Sequence, residues 1–256
     1  MTDSISRAYS SILPKDITLP DLETVCCIHS QEQNDLTEVF QVDRRSMTPT
    51  YVELKQHDDL HNENAISPTP DLEKYVGFSR PINNALHEHS QTGAVRKINI
   101  PDIESAKQIE SDLSGAIANK NFTVYTGLKH SPFHSSVNIG GYHHAHMPAF
   151  VSTSTHLNTA EFFAGYDRET NHNPAIHGGE IENGAKHVLK LHITPGANIG
   201  SVKNFAKYDT ENEMLLNRGY NVMVNPRPTR LEKAPMALAP TYVWDAWLTR
   251  RTPKKL

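Results

Sequence analysis

The feature that most limits what this chain can become is a change of apolar period near residue 120. After Pro101, the residues Ile103, Ala106, Ile109, Leu113 and Ile117 recur at steps of three and four. That spacing puts them on one face of a helix opened by Asp102 and ending near Asn119. Phe122 to Thr126 then alternates as a strand does and stops at Gly127. Further strands are expected at Ala149 to Ser152, Leu189 to Ile193, Tyr220 to Val224 and Tyr242 to Leu248, with Pro, Gly and Asn clustered in the loops between them, notably Tyr166 to Lys186. Helices followed by a run of strands predict an α+β fold, amino-terminal helices packed on a mostly antiparallel sheet.

Residues 1 to 70 lack such a period: Pro14, Pro20, Pro49, Pro68 and Pro70 punctuate polar runs such as Gln56-His57-Asp58-Asp59 and His61-Asn62-Glu63-Asn64. They read as an extension of unassigned role, with Tyr51-Val52-Glu53-Leu54 as a short strand, Asp35 to Val42 fitting a helix or a strand, and Pro68-Thr69-Pro70 as a linker into a domain over residues 71–256. A formal charge of −4 from 25 basic and 29 acidic residues offers no basic face for phosphates, so direct nucleic-acid binding is not expected. Cys26 and Cys27 are sequence neighbours, a spacing unsuited to an ordinary structural disulfide, and they fit a reducing cytosol. The chain shows neither an export signal nor the roughly 18 apolar residues of a membrane span, so a soluble cytoplasmic protein is expected.

Three segments place polar groups where strands end. They are Tyr125-Thr126-Gly127, then Ser152-Thr153-Ser154 after the apolar Ala149-Phe150-Val151, then Glu211-Asn212-Glu213 before Met214-Leu215-Leu216 and Arg218-Gly219. Two carboxylates at i and i+2 on an extended segment point the same way, so Glu211 and Glu213 are expected to share a cleft. Ser152 and Ser154 supply small hydroxyls that bond a carboxylate or a sugar without filling it.

In this order the segments resemble the arginine-directed mono-ADP-ribosyltransferases of the R-S-E class, over about residues 72 to 250. Tyr75, Ser79 and Ile82-Asn83-Asn84-Ala85-Leu86 resemble that domain's amino-terminal helix, and Ala160-Glu161-Phe162-Phe163-Ala164 the helix after Ser-Thr-Ser. The wording of Val124 to Leu128 and of Glu213 to Gly219 is similar to the T-even bacteriophage enzymes of the Alt and Mod group. The resemblance implies a split sheet, NAD as substrate with no metal, and transfer of ADP-ribose to arginine on acceptor proteins, with host transcription or translation proteins as targets. It places the enzyme in the host cytosol, with carriage in the virion as the other setting.

It also implies roles. Glu213 stabilises the oxocarbenium-like transition state formed as nicotinamide leaves, Ser152 supports Glu213 and the ribose, and Glu211 addresses the incoming guanidinium. Tyr125, Thr126, Gly127, Ser152, Thr153, Ser154 and Phe162 fall at NAD-binding positions, and Phe205 and Tyr208 at acceptor-recognition positions. Asn158 pairs with Glu161 to cap the helix of Phe162. One departure stands out: the family carries an arginine that contacts the NAD phosphates where this chain has Thr126, and Lys129 and Arg96 are the nearby cations. An NAD glycohydrolase and an inactive binding module are the rival functions. Fifteen histidines, with His143-His144-Ala145-His146 downstream of His130 and His134, lack acidic or cysteine partners at recognisable spacing and read as a solvated loop with no metal, in which His143 or His144 touches substrate.

Overall fold

The fold begins with a helix that the sequence hides. In the computed structural model, which describes residues 51–128, 137–139, 141–164, 185–205, 211–231, 240–253 and 255–256, the segment expected as a short strand at Tyr51 instead opens helix α1, Tyr51–Glu63. Among its described side chains Leu60 and His61 are buried, as is Asn64 just past its end. Two of the three are polar, so no apolar period announces the helix. The chain then pairs Ala65 with Ser201 as a parallel bridge. Pro68-Thr69-Pro70 is a helix start rather than a linker: Thr69 caps α2, Pro70–Gly77, accepting a bond from the Leu72 amide, and Pro70 takes the first turn, where a missing N–H costs nothing. All described residues belong to one compact unit, Phe40–Leu256.

Helix α3, Arg80–Thr92, ends on Gly93 in the left-handed conformation. Helix α4, Ile100–Ser114, buries Ile103, Ala106, Ile109 and Leu113 as their spacing predicts. It stops five residues before Asn119, because the backbone of Ala116 and Ala118 turns to bond Ala197 and Ile199; Ile117 is left exposed.

The sheet has ten strands: β1 Phe122–Leu128, β2 Val137–Ile139, β3 Tyr142–Met147, β4 Val151–Ser154, β5 Lys186–Ile193, β6 Ile199–Ser201, β7 Glu213–Leu216, β8 Tyr220–Val224, β9 Thr229–Leu231 and β10 Thr241–Arg251. Their order is β2-β3-β8-β10-β5-β1-β4-β7-β6, with β9 beside β10. Every pairing is antiparallel except β10 with β5. The expected split lies between β1 and β4, joined by the one registered pair Tyr125 and Ser154. A single core cluster draws Val124, Leu191, Val222 and Trp244 from one side of that junction and Ile199, Met214 and Leu216 from the other. Leu215, turned the opposite way, packs with Phe150 under α2, α3 and α4. Helix α5, Leu157–Ala164, covers Val188 and Val243.

The histidine run is a correction. Tyr142–Met147 forms strand β3, paired with β8 through His143, His144 and His146. Among the described residues no helix is long and apolar enough to cross a membrane.

Candidate active site

Strand β7 opens at Glu213, and pairing with β4 sets Glu213 opposite Ser154, Met214 opposite Thr153 and Leu215 opposite Ser152. The Glu213 side chain stands on the helical side with Leu215, and only 9% of the residue is exposed. Burial pushes its carboxyl up to about 7; the nearby Ser152 hydroxyl opposes the rise and the neighbouring Glu211 adds to it. Beneath lies Tyr75 of α2, whose phenol is raised far above its ordinary range by burial. It receives a bond from Asn83 Nδ2 at 2.9 Å and donates to Phe150 O at 3.3 Å. The Ser152 hydroxyl lies near enough to act on Tyr75. The amino-terminal helices thus supply a polar floor under the serine and the glutamate.

The Ser-Thr-Ser segment divides its work. Ser152 is exposed. Thr153 is buried and donates to Met214 O at 2.7 Å, while Ser154, also buried, donates to Glu211 O at 2.6 Å. These two hydroxyls are spent on backbone carbonyls on either side of Glu213. Thr126 is similar: buried, it donates to Ser152 O at 3.0 Å and braces the serine across the split. Tyr125 points to the other sheet face and packs against the cluster of Ala160, Val188 and Val243. Gly127 allows close approach of α5, since a Cβ there would meet Ala160 O at 2.4 Å and Ala164 N at 2.5 Å.

The extended reading of Glu211 to Glu213 is corrected. Asn212 has φ of 46°, left-handed, so period-two alternation does not apply across it. The two carboxylates are still neighbours, because Glu211 acts electrostatically on Glu213, but one is half-buried and the other buried. Helix α5 starts at Leu157, which puts Asn158 inside it rather than at its cap; the His156 amide is satisfied by Ser154 Oγ at 3.0 Å. On α5, Phe162 is 63% exposed and meets Phe163 edge to face. Phe205 is partly buried against the helical core. Tyr208, Lys129, His130 and His134 lie outside the described residues, and Arg96 pairs with Glu88 at the surface.

Sequence reasoning missed His57 and His61 of α1 and His156 after Ser-Thr-Ser, which gather beside Asn212. The His61 ring bonds Ser201 Oγ at 2.7 Å and Thr155 Oγ1 at 3.3 Å. His57 and His61, one helical turn apart, were the available signal. Among the described residues no group of three or more His, Cys, Asp or Glu side chains is gathered to hold a metal ion. His187 is a satisfied core residue that accepts from Trp244 Nε1 at 3.2 Å.

A sequence profile described as ADP-ribosyltransferase exoenzyme matches residues 53–235. No curated protein matches the chain at a significant level. Among solved structures the chain is similar to BECa, an ADP-ribosylating toxin of a binary enterotoxin of C. perfringens solved with NADH, with TM-score 0.53 and 17% identity, covering 77% of this chain and 48% of that one. Plx2a, an ADP-ribosyltransferase toxin of Paenibacillus larvae, gives 0.54 and 13% over 77% and 96% of the two chains. The C3 exoenzyme of Clostridium limosum gives 0.50 and 15% over 77% and 93%. The chain thus spans about half the BECa chain and nearly all of the other two, and at these identities the likeness is one of fold.

Proposed function

Because the chain belongs to the ADP-ribosyltransferase exoenzyme family, we propose that it cleaves NAD between nicotinamide and ribose and transfers ADP-ribose to arginine side chains of other proteins. The observation that carries this reading is Glu213, a buried carboxylate with the Ser152 hydroxyl and a second carboxylate close by. As the C1′–N bond breaks, its electron pair leaves with nicotinamide and positive charge develops on the ribose. A carboxylate in a low-dielectric setting stabilises that charge far more than it does in water. A guanidinium nitrogen then bonds to C1′ and releases a proton.

Glu211, more exposed and next to Glu213, is suited to attract the guanidinium by charge-assisted hydrogen bonds. A water nucleophile needs no such group, which favours arginine transfer over hydrolysis. Ser152 holds Glu213 and reaches the ribose, Phe162 flanks nicotinamide, and Tyr208 with Phe205 meets the acceptor. Thr126 takes the bracing half of the role its family position implies. The rival reading of an inactive binding module draws on the same residue, because its hydroxyl is directed to Ser152 O and brings no charge to the pyrophosphate. The wording of Val124 to Leu128 and of Glu213 to Gly219 favours a phage-like enzyme acting on host transcription or translation proteins in the host cytosol.

Incubation with radiolabelled NAD and a bacterial lysate tests the proposal. Labelled protein bands are the expected result. Free ADP-ribose alone would identify a hydrolase, and neither product an inactive module.

A further inference from the structure

We propose that His156 is a positioning residue: its imidazole tethers the Asn212 amide and, through the left-handed turn at Asn212, sets where Glu211 stands relative to Glu213. It thereby governs how ADP-ribose divides between a guanidino acceptor and water. This rests on the division of labour between the two carboxylates proposed above.

Asn212 is the one non-glycine residue with positive φ among the described residues. Asparagine tolerates that conformation better than most side chains, yet it persists only where neighbours hold it. Three consecutive residues do so. Ser154 Oγ donates to Glu211 O, the Thr155 amide donates to Asn212 O at 3.3 Å, and the Asn212 amide nitrogen meets His156 Nδ1 at 3.2 Å. That nitrogen has only hydrogens to offer, so Nδ1 accepts and the ring carries its proton on Nε2. Burial, followed by the charges of His57 and Lys203, keeps His156 below the ordinary imidazole value, with Asp58 acting the other way, and the neutral form is the one that can accept.

The ring does not stand alone. His57 of α1 packs on it with centroids 5.2 Å apart. One turn along the same helix, His61 links Thr155 to Ser201. A helix outside the sheet therefore backs the turn between the two carboxylates. The consequences for Glu211 and Glu213 differ. Glu213 sits in the β7 ladder opposite Ser154 and keeps its place without the tether. Glu211 precedes the turn, outside the ladder, and moves with Asn212.

The test compares transfer from NAD to agmatine, a small guanidino acceptor, with NAD hydrolysis in its absence, on the full chain with folding checked by circular dichroism. His156→Ala and Asn212→Gly, the latter free to keep positive φ, should each lower transfer by about three- to tenfold, the size of one neutral hydrogen bond. Hydrolysis should stay within about twofold, below the effect of any whole hydrogen bond. The double variant should be no worse than either single one. His156→Asn places an amide oxygen near the Nδ1 position and should restore transfer. Equal loss of both reactions in His156→Ala, losses that multiply in the double variant, or no rescue by His156→Asn would each overturn the tether. Glu211→Gln run in parallel separates two failures. If it spares hydrolysis while His156→Ala does not, the tether alone falls; if Glu211→Gln lowers both reactions alike, the division of labour falls and the tether with it.

Discussion

The two ends of β7 bury charge in opposite ways. At its first residue, Glu213 lies buried beside another carboxylate, and its proton affinity rises to about 7. Just past its last residue, Arg218 is 4% exposed and its guanidinium bonds Glu110 at 2.6 and 3.0 Å, with Arg251 on the other Glu110 oxygen. The paired charge ties β7 to α4 and to the end of β10. The carboxylate beside a like charge stabilises nothing nearby, and such a group is what a reaction that develops positive charge requires.

The largest effect expected from this contrast is at the paired end. Glu110→Ala removes the carboxylate that Arg218 and Arg251 share and should cost about 3 kcal/mol or more of unfolding free energy in urea titrations. A loss under about 1 kcal/mol, the worth of a surface pair, would erase the distinction between the two ends.

Glu213→Gln should move stability the other way. The folded-state value near 7 lies above the ordinary carboxylate value of 4.5, so the native protein binds the extra proton and its stability falls as pH rises between the two. A neutral glutamine removes that loss. The variant should be more stable than the wild type by up to about 3 kcal/mol at pH ~8 and match it at pH ~4. A destabilised variant at pH ~8 would show that the Glu213 charge is paired after all.

The smallest effect sharpens the site itself. The charge on Glu211 raises Glu213, so Glu211→Gln should shift the acid limb of the NAD-cleavage pH profile to lower pH, towards the ordinary carboxylate range. A limb that stays put would mean that Glu213 does not govern it.

The contrast also marks what the sequence could disclose. Strand β8 spans the same residues that its apolar alternation predicts, and α4 buries the residues its period selects, because both put aliphatic side chains in the core. The order of three short segments singled out Ser152 and Glu213, and the pairing of β4 with β7 sets them on neighbouring strands. Helix α1 was not legible, since His61 within it and Asn64 just past its end turn inward and their partners Ser201, Thr155 and Leu60 are set by the fold. The turn at Asn212 escaped for a related reason: a run Glu-Asn-Glu carries no period, and the contacts that hold it left-handed come from residues 154 to 156. Thr126 shows the limit of reading by position. Its place suggested a ligand contact, and its hydroxyl serves the Ser152 carbonyl.

The most direct test of the account is the rate of radiolabelled NAD cleavage and protein labelling by Glu213→Gln beside the wild type, with circular dichroism to verify folding. Loss of both activities by about a thousandfold is predicted, on the scale of removing one preorganised group that stabilises transition-state charge. A folded Glu213→Gln that labels protein within about tenfold of the wild type, little more than 1.4 kcal/mol, would contradict it.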